Sequence, residues 1–318
     1  MLKLAIIGAG IMGERLARAA REQASDVVSL SGIWDPAYDA TTRLAASLPG
    51  LPVASSAGAA MKQADCVYIA SPPASHLGHA EMAIEMGKAV FCEKPLATSV
   101  AESCNFVARH HAARVGINFP FASSFAVATL REWLAGIGEI HSLTIDVAFR
   151  DWPRPWQQDA VSWLDRRREG GFTREVVSHF LFLSRREIGA LALQEALVQY
   201  PEDGRSEFDI RAKLTAGSVP INLTGNVGNT PKDDHNAWTL RGETGAVRLR
   251  DWSIAERQTG DGKWHPDPAA LPNEKMRPLV LRRQLEEVVK MTRGEPHRLA
   301  TLSEALDVQE IVEAILAS

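Results

Sequence analysis

The sequence predicts an α/β protein of two domains, a doubly wound parallel sheet followed by an α+β domain with a mostly antiparallel open sheet. Three observations support this fold class. The chain has 318 residues, more than one typical domain of ~100–200 residues. Strand-like and helix-like patterns alternate up to residue 118. From residue 119 onward, strand-like runs follow one another through short links. We therefore place the domains at residues 1–118 and 119–318.

The first domain consists of short apolar runs that alternate with segments of helical spacing. Parallel strands need crossover helices, so this alternation predicts a parallel sheet. Strands are predicted at residues 4–7, 27–34, 66–70 and 89–92, and helices at residues 11–21, 40–47 and 76–86. The apolar N-terminal run ends in glycines and lacks a cleavage site of small residues, so we interpret it as a buried strand and not as a signal peptide.

The second domain has a different order of elements. Helices are predicted at residues 125–134 and 172–186, and a longer strand at residues 140–147. Further strands are predicted at residues 193–200, 208–215, 221–228, 237–241 and 246–249. The short links between these neighbours favour antiparallel pairing. Two helical stretches, at residues 279–292 and 302–317, close the chain, and the last can pack back on the first domain.

Composition excludes several classes of partner. Hydrophobic residues make up 45% and charged residues 23%, and no apolar run approaches the ~20 residues of a membrane span. The formal net charge is −4, and the densest basic run, Arg166-Arg167-Arg168, is short and followed by Glu169. The three cysteines cannot all pair, and two lie in apolar runs. We therefore expect a cytoplasmic protein that binds neither membrane nor nucleic acid.

The first strand-to-helix turn carries a complete G-x-G-x-x-G motif, Gly8-Ala9-Gly10-Ile11-Met12-Gly13. A strand before it and a helix after it are the context that a dinucleotide-binding motif requires. Gly8 would make the tight turn, Gly10 would let the backbone approach a pyrophosphate, and Gly13 would allow close helix packing. The alternative is a glycine turn without a ligand. We expect a dinucleotide-binding Rossmann domain whose cofactor contacts include Gly8, Gly10, Ile11, Met12 and Gly13.

Asp35 ends the second predicted strand, about 20 residues beyond the glycines, where a carboxylate can accept hydrogen bonds from adenosine ribose hydroxyls. A phosphate on that ribose would be repelled. The next residues are Pro36-Ala37-Tyr38-Asp39, and Arg43 lies further along, so no basic residue follows directly. Asp35 therefore favours NAD over NADP as the cofactor. The alternative is a turn or capping role before Pro36.

Two later loops carry further motifs, Ser71-Pro72-Pro73-Ala74-Ser75-His76 and Cys92-Glu93-Lys94-Pro95. With this pair the chain resembles the Gfo/Idh/MocA family, which includes glucose-fructose oxidoreductase and inositol dehydrogenase. The resemblance covers essentially the whole chain but is close only in the first domain. It implies further cofactor contacts from Ser71, Pro72, Pro73, His76, Glu93 and Lys94.

The resemblance also implies that Lys94 lies beside the nicotinamide and the reacting carbon. An ammonium there would stabilise a developing alkoxide, and a partly desolvated lysine can take part in proton transfer. Glu93 would hold the lysine or the cofactor in place, and Pro95 would fix the turn. The alternative is a surface Glu-Lys pair before a proline.

The second-domain signature of the family resembles Gly170-Gly171 followed by Glu175 and His179. The last two are four residues apart and share a face of an α-helix, and histidine suits proton transfer near neutral pH. We expect both to be catalytic, whereas the alternative is an ordinary i,i+4 pair. Glutamate replaces the family's aspartate, and Val177 stands where glycine is common. A metal site would need a third ligand, so we expect no metal.

The substrate residues are less clearly marked by the sequence. Trp152, Trp156 and Trp163 precede the glycine pair, and their faces can stack on a sugar ring or pack at a subunit interface. Asn118 and Arg174 are further candidates. After Asn118 the family often has arginines, whereas this chain has Phe119-Pro120-Phe121, which predicts an apolar wall and a less polar substrate.

The sequence therefore predicts an oxidoreductase that uses NAD, or less readily NADP, on a secondary alcohol or ketone of a sugar, cyclitol or related polyol. One alternative is an enzyme whose tightly bound NAD is reduced and reoxidised within one turnover. Another is a regulatory protein that binds dinucleotide without catalysis. Because helices cover one face of the antiparallel sheet and the family commonly pairs subunits through the other, we expect a homodimer or homotetramer.

Overall fold

Two sheets organise the chain, and they confirm the predicted fold class. The computed structural model describes residues 1–201, 203–260 and 262–318. The first of two compact units comprises Met1–Ser123 with Pro278–Leu306, and the second comprises Ser124–Arg277 with Asp307–Ser318. The units are interleaved along the chain, whereas the sequence predicted a single boundary after residue 118. Each of the last two helices contributes residues to both units.

The first unit contains a five-stranded sheet in the order β2-β1-β3-β4-β5, and all its strand pairs are parallel. The strands are β1 (Leu2–Ile7), β2 (Val28–Trp34), β3 (Cys66–Ile69), β4 (Ala89–Cys92) and β5 (Val115–Ile117). The carboxyl ends of parallel strands lie at one edge of a sheet, which is where ligands bind in open α/β folds. The loops that carry the predicted cofactor residues follow β1, β2, β3 and β4 and therefore share this edge.

Five helices connect these strands: α1 (Ile11–Glu22), α2 (Tyr38–Ser47), α3 (Ala57–Lys62), α4 (His76–Glu85) and α5 (Val100–His110). The helices α3 and α5 and the three-residue strand β5 were not predicted from the sequence. A signal for α5 was present, because Ser99 and Glu102 have capping-box spacing. The Ser99 hydroxyl accepts a hydrogen bond from the Glu102 N–H at 3.3 Å. Ser56 caps α3 in the same way.

The core of the first unit lies between its sheet and helices. Leu4, Ile6, Tyr68 and Phe91 on the central strands are fully buried and belong to one hydrophobic cluster. Burying a side chain of this size is worth ~1.5–3 kcal/mol, so the apolar strands predicted from sequence stabilise this unit. The cluster also includes Leu285, Val288, Val289, Met291 and Leu299 from the returning C-terminal segment.

The second unit contains an eight-stranded sheet in the order β13-β12-β11-β10-β6-β9-β8-β7. Its strands are β6 (Ile140–Phe149), β7 (Leu191–Gln199), β8 (Asp209–Ala216), β9 (Val219–Val227), β10 (His235–Gly242), β11 (Ala246–Arg250), β12 (Ile254–Gln258) and β13 (Trp264–Pro266). The predicted antiparallel pairing holds except between β6 and β9, which pair in parallel. The sequence analysis missed β12 and β13.

One face of this second sheet is buried beneath helices. Leu143, Ile145 and Val147 alternate along β6 with less buried residues, the period expected of a half-buried strand. Trp238 on β10 is fully buried, and its indole N–H donates to the Ser184 hydroxyl at 2.9 Å.

The remaining helices are α6 (Phe125–Leu134), α7 (Val161–Leu164), α8 (Ser178–Ile188), α9 (Asn273–Arg293) and α10 (Leu302–Leu316). A short π-helical segment, Thr173–Val177, leads directly into α8. Across the described ranges, no helix combines the length and the apolar character needed to cross a membrane.

Candidate active site

The three glycines of the first turn meet different surroundings. Gly8 has φ +105°, and a Cβ there would lie 2.6 Å from the Ala70 carbonyl carbon, so only glycine fits between β1 and β3. A Cβ on Gly13 would lie 1.9 Å from the Gly8 carbonyl oxygen. Gly8 and Gly13 are therefore required by packing of the protein against itself, which agrees with the turn and helix-packing roles predicted for them.

Gly10 is the exception, because a Cβ there would meet no protein atom within 4 Å. Gly10 is also the N-cap of α1, and its φ of −76° is one that any residue adopts. Neither packing nor backbone strain requires this glycine. Ile11 and Met12 follow it in the first turn of α1, whose N-terminus offers backbone N–H groups to an anion. The open space and the N–H donors fit a dinucleotide pyrophosphate.

Asp35 lies directly after β2, and both of its carboxylate oxygens accept backbone hydrogen bonds. Oδ2 accepts from the Ala9 N–H at 2.7 Å, and Oδ1 accepts from the Ala37 N–H at 2.8 Å. The carboxylate thus joins the glycine turn to the turn after β2. Each carboxylate oxygen has more than one acceptor position, so Asp35 retains capacity for ribose hydroxyls. The turn role and the ribose role are compatible.

His76 connects the two motif loops that follow β3 and β4. Its Nδ1 lies 2.7 Å from the Pro95 carbonyl oxygen and its Nε2 lies 2.7 Å from the Ser71 carbonyl oxygen. Burial lowers the pKa of His76, and a neutral imidazole donates to one of these carbonyls whereas an imidazolium donates to both. These contacts favour a role for His76 in holding the loops together. Ser75 stabilises the first loop by donating to the Ser71 hydroxyl at 2.7 Å.

Glu93 belongs to a buried polar network behind the lysine. Its Oε1 accepts from the Tyr68 hydroxyl and from the Asn118 amide, the latter at 2.6 Å. The Gln284 amide donates to the Asn118 carbonyl oxygen at 2.6 Å. Burial and the neighbouring carboxylate raise the pKa of Tyr68 well above its usual value, so its hydroxyl stays protonated and donates. Asn118 is thus engaged at both ends of its amide, which favours a role in fixing Glu93 over the predicted substrate contact.

Lys94 is 9% exposed, which does not fit the alternative of a surface Glu-Lys pair. Its backbone is held on both sides. The Glu93 N–H donates to the Ile69 carbonyl at 2.9 Å, and the Pro95 carbonyl contacts His76. These contacts fix the backbone of Lys94 at the carboxyl edge of the parallel sheet. Phe119 and Phe121 are 2% and 4% exposed, which favours a packing role over the predicted apolar wall.

In the second unit, the glycine pair is required by close backbone approaches. A Cβ on Gly170 would lie 2.0 Å from the Leu164 carbonyl oxygen. Gly171 has φ +101°, and a Cβ there would lie 2.2 Å from the Glu207 carboxylate. Glu207 is buried, and it accepts the Thr173 N–H at 2.7 Å at the start of the π-helical segment. Burial raises the pKa of Glu207. The glycines thus allow a buried carboxyl group to hold the segment that carries Glu175.

Glu175 lies in the π-helical segment, and not in a regular α-helix as the i,i+4 argument assumed. Segments of this kind occur often at functional sites. The Gln157 amide donates to Glu175 Oε1 at 3.4 Å, and the Arg154 guanidinium lies 3.9 Å from the same oxygen. Val177 in this segment is fully buried.

His179 lies in the first turn of α8 and is 8% exposed. Its imidazole packs edge-on against the indole of Trp252, with ring centroids 5.6 Å apart and an interplanar angle of 74°. The same indole packs against Phe180 at 5.5 Å. An aromatic wall therefore restricts the orientation of the imidazole.

The three predicted substrate tryptophans differ in their surroundings. Trp152 packs against Phe149 and Phe172, with ring centroids 5.1 and 6.0 Å away, which favours a structural role. Trp163 lies in α7 and is partly buried. Trp156 is 44% exposed, and of the three it is best suited to stack on a ligand.

Arg174 is engaged in several contacts within its own unit. It forms a bidentate ion pair with Glu313 at 2.6 and 2.7 Å, and it donates to the carbonyls of Arg167 and Gly170. These contacts favour a structural role over the predicted substrate contact.

The structure adds residues that the sequence analysis did not identify. Arg154 is 5% exposed, lies over the rings of Phe149, Trp152 and Trp156, and bonds to Asp234 at 2.6 Å. In the sequence, Arg154 stands between Trp152 and Trp156, two predicted substrate residues, and this position could have identified it. Asp234 and Trp252 belong to no sequence motif that could have identified them. Within the part of the chain that the structure describes, no group of three acidic, histidine or cysteine side chains could hold a metal ion.

The first unit resembles known NAD-binding proteins in sequence. Residues 2–118 match the sequence model of an oxidoreductase family with an NAD-binding Rossmann fold. An uncharacterised oxidoreductase of Streptococcus pneumoniae is 30% identical over 54% of this chain and 46% of its own length. Inositol 2-dehydrogenase of Rhodococcus jostii is 32% identical over 34% of this chain and 30% of its own length. The chain thus spans less than half the length of either relative.

A similar fold extends over the whole chain in solved structures. Levoglucosan dehydrogenase, in complex with NADH and levoglucosan, superposes with a TM-score of 0.85 over 100% of this chain and 96% of its own. Its sequence identity to this chain is 16%, so the likeness is one of fold.

Proposed function

We propose that this chain is an oxidoreductase of the Gfo/Idh/MocA family, because residues 2–118 match that family's NAD-binding Rossmann domain, and that it transfers a hydride between nicotinamide and a secondary alcohol or ketone. The observation that carries the proposal is the buried Lys94, fixed at the same sheet edge as the open space at Gly10. A glycine cradle suits a dinucleotide, and a desolvated ammonium suits an oxygen that gains negative charge during reaction.

NAD is the proposed cofactor, and when bound it supplies the centre that accepts or donates hydride. The Gly10 backbone and the first turn of α1 would hold its pyrophosphate. Asp35 would accept hydrogen bonds from the adenosine ribose and repel a phosphate there, which favours NAD over NADP. The Glu93 network would keep the adjoining lysine in place.

Lys94 is proposed to stabilise negative charge on the substrate oxygen, because burial strengthens its electrostatic interactions. His179 is proposed to carry the proton, which an imidazole can do near neutral pH. Glu175 is proposed to orient the histidine or a substrate hydroxyl. The atoms proposed to contact the reacting groups are the Lys94 Nζ, an imidazole nitrogen of His179 and a carboxylate oxygen of Glu175.

The proposed substrate is a sugar, cyclitol or related polyol. The names of two similar proteins support this class: one is an inositol 2-dehydrogenase, and the other is a levoglucosan dehydrogenase in complex with NADH and levoglucosan. The exposed indole of Trp156 offers a face on which the apolar side of a sugar ring could stack.

A panel of sugars and polyols, assayed by nicotinamide absorbance, tests the activity. With a substrate in hand, Lys94→Ala and His179→Ala should each lower the single-turnover rate of hydride transfer by ~100-fold or more and leave NAD affinity nearly unchanged. Glu175→Gln should lower the rate of hydride transfer by a smaller factor. Near-normal rates in both alanine variants would refute the catalytic assignment.

Two residues serve as matched controls. Lys88 lies just before β4, at the opposite end of the strand that Lys94 follows, and His265 lies on the exposed strand β13. Lys88→Ala and His265→Ala should react at the wild-type rate. NAD that binds but never reacts with any member of the panel would favour a regulatory role, and NAD that never exchanges during turnover would favour internal recycling.

A further inference from the structure

Two consecutive residues in the turn between β11 and β12 have a backbone conformation that L-residues rarely adopt. Asp251 has φ 47° and Trp252 has φ 70°. A bulky side chain in the left-handed region is a genuine outlier, whereas glycine and asparagine are tolerated there. Such strain persists only where surrounding contacts impose it, and it is concentrated at functional sites. The contacts of Trp252 therefore indicate which part of the molecule the strained turn holds in place.

The contacts of Trp252 lead to the proposed catalytic histidine. Its indole packs edge-on against the His179 ring, and the indole N–H donates to Asp234 Oδ2 at 3.0 Å. Its backbone N–H donates to the Asn236 side-chain oxygen, also at 3.0 Å. The indole is thus fixed at its backbone and at its nitrogen, and its ring restricts the imidazole.

Asp234 is the centre of this arrangement. Its Oδ2 accepts from the Trp252 indole and from the Arg154 guanidinium at 2.6 Å, while its Oδ1 accepts from the Asn236 amide at 3.0 Å. Arg154 in turn lies 3.9 Å from Glu175. One partly buried carboxylate therefore connects the tryptophan beside His179 to the arginine beside Glu175.

The preceding turn residue adds charge contacts that hold the strained backbone. The Asp251 carboxylate accepts from Arg250 at 2.8 Å, and it lies 3.2 Å from the His235 imidazole and 3.6 Å from the Lys232 ammonium. Partial burial acts to raise the pKa of Asp251, but these neighbouring charges hold it below its usual value. The carboxylate therefore stays ionised and anchors the turn.

We infer that Trp252 and Asp234 are positioning residues that fix the orientation of His179 and, through Arg154, of Glu175. The inference rests on the proposed function, since it concerns how the proposed proton carrier is held. A purely structural role would instead make turnover fall only where the fold is weakened.

Asp234→Asn and Trp252→Asn test this inference with different perturbations. Asp234→Asn keeps the Trp252 side chain but replaces one acceptor oxygen of Asp234 with an NH2 group, which weakens the hydrogen bonds that hold the indole in place. Trp252→Asn removes the ring and keeps a residue that tolerates the left-handed turn. The matched controls are Asp233→Asn, a neighbouring exposed carboxylate paired with Arg150, and Trp264→Phe on β13.

The first readout needs no substrate: the rate at which diethyl pyrocarbonate modifies His179 in the full-length protein, measured by peptide mass spectrometry. Asp234→Asn and Trp252→Asn should raise this rate at least about fivefold, because a released imidazole samples more orientations. Both control variants should match the wild type. An unchanged rate in both test variants would overturn the inference, and if Asp234→Asn does not fold, Trp252→Asn decides.

The second readout is turnover of the polyol found by the panel. Asp234→Asn should lower kcat by about 10- to 100-fold with KM, NAD affinity and Tm close to those of the wild type, since misplacing a reacting group acts on the chemical step. A fall in kcat that only accompanies a fall in Tm would overturn the positioning role. Faster His179 modification with unchanged kcat would support the positioning of the ring and refute the catalytic role of His179.

Discussion

Alanine substitutions at Gly10 and Gly13 should separate cofactor binding from folding within one motif. A Cβ at Gly10 meets no protein atom within 4 Å, whereas a Cβ at Gly13 lies 1.9 Å from the Gly8 carbonyl oxygen. Both glycines belong to the same turn and are three residues apart. The two substitutions add the same methyl group, so any difference between them reports where that methyl group points.

Gly10→Ala should leave stability within about 1 kcal/mol of the wild type, because alanine is a poorer N-cap than glycine but restricts the unfolded chain. Its methyl group occupies the space that the pyrophosphate would approach. Loss of one charge-assisted hydrogen bond, ~1.5–3 kcal/mol, corresponds to about 10- to 100-fold weaker NAD binding.

Gly13→Ala should instead destabilise the fold. Backbone atoms cannot yield easily, so overpacking should cost about 3 kcal/mol, which lowers Tm by about 6–12 °C for a domain of this size. Thermal unfolding without ligand and calorimetric titration with NAD measure the two effects. Equal losses of stability in the two variants, or unchanged NAD affinity in Gly10→Ala, would refute the interpretation of the open space as the cofactor site.

Three further expectations follow from single features. NAD(H) should bind more tightly than NADP(H), because the Asp35 carboxylate repels a ribose phosphate. Asp35→Asn should reduce the difference in affinity between NAD(H) and NADP(H). Tighter binding of NADPH than of NADH in a calorimetric titration would contradict this. Burial raises the pKa of Glu207, so its protonated form stabilises the fold below the unfolded glutamate pKa, and this contribution is lost as pH rises through the folded value. Glu207→Gln should therefore gain stability relative to the wild type as pH rises above the unfolded glutamate pKa of ~4.3, measured by urea unfolding. The same dependence of stability on pH in both proteins would contradict this. Light scattering at micromolar concentration should give a dimer or tetramer mass and not the 34.7 kDa of one chain.

The sequence alone determined much of the first unit. Local patterns were sufficient to predict its strands, because each strand is a short apolar run. The glycine spacing was sufficient to predict the first turn, because Gly8 and Gly13 leave no space for a side chain. The strand at Ala89–Cys92 has the predicted bounds, as does the helix at Phe125–Leu134 in the second unit. The family motifs also indicated Lys94, and the structure adds that it is buried.

Long-range contacts were decided only by the tertiary structure. Glu93 accepts hydrogen bonds from Tyr68 and Asn118, and Asn118 in turn accepts one from Gln284, which lies 166 residues further along the chain in α9. The parallel pairing of β6 with β9 likewise joins strands that are not neighbours in the chain. Spacing arguments describe residues within one helix or strand, so they do not reveal which distant side chains meet.

The surroundings of Glu175 and His179 show the same limit. Their spacing predicted one helical face, but the π-helical segment, the carboxylate of Glu207 beneath the glycine pair and the strained Trp252 depend on packing between elements. A tryptophan in a left-handed turn contradicts local preference, so no local rule could place it there. The sequence by itself determined which residue types could carry the chemistry, and the tertiary structure decided what holds them, because burial and long-range hydrogen bonds arise only when distant segments meet.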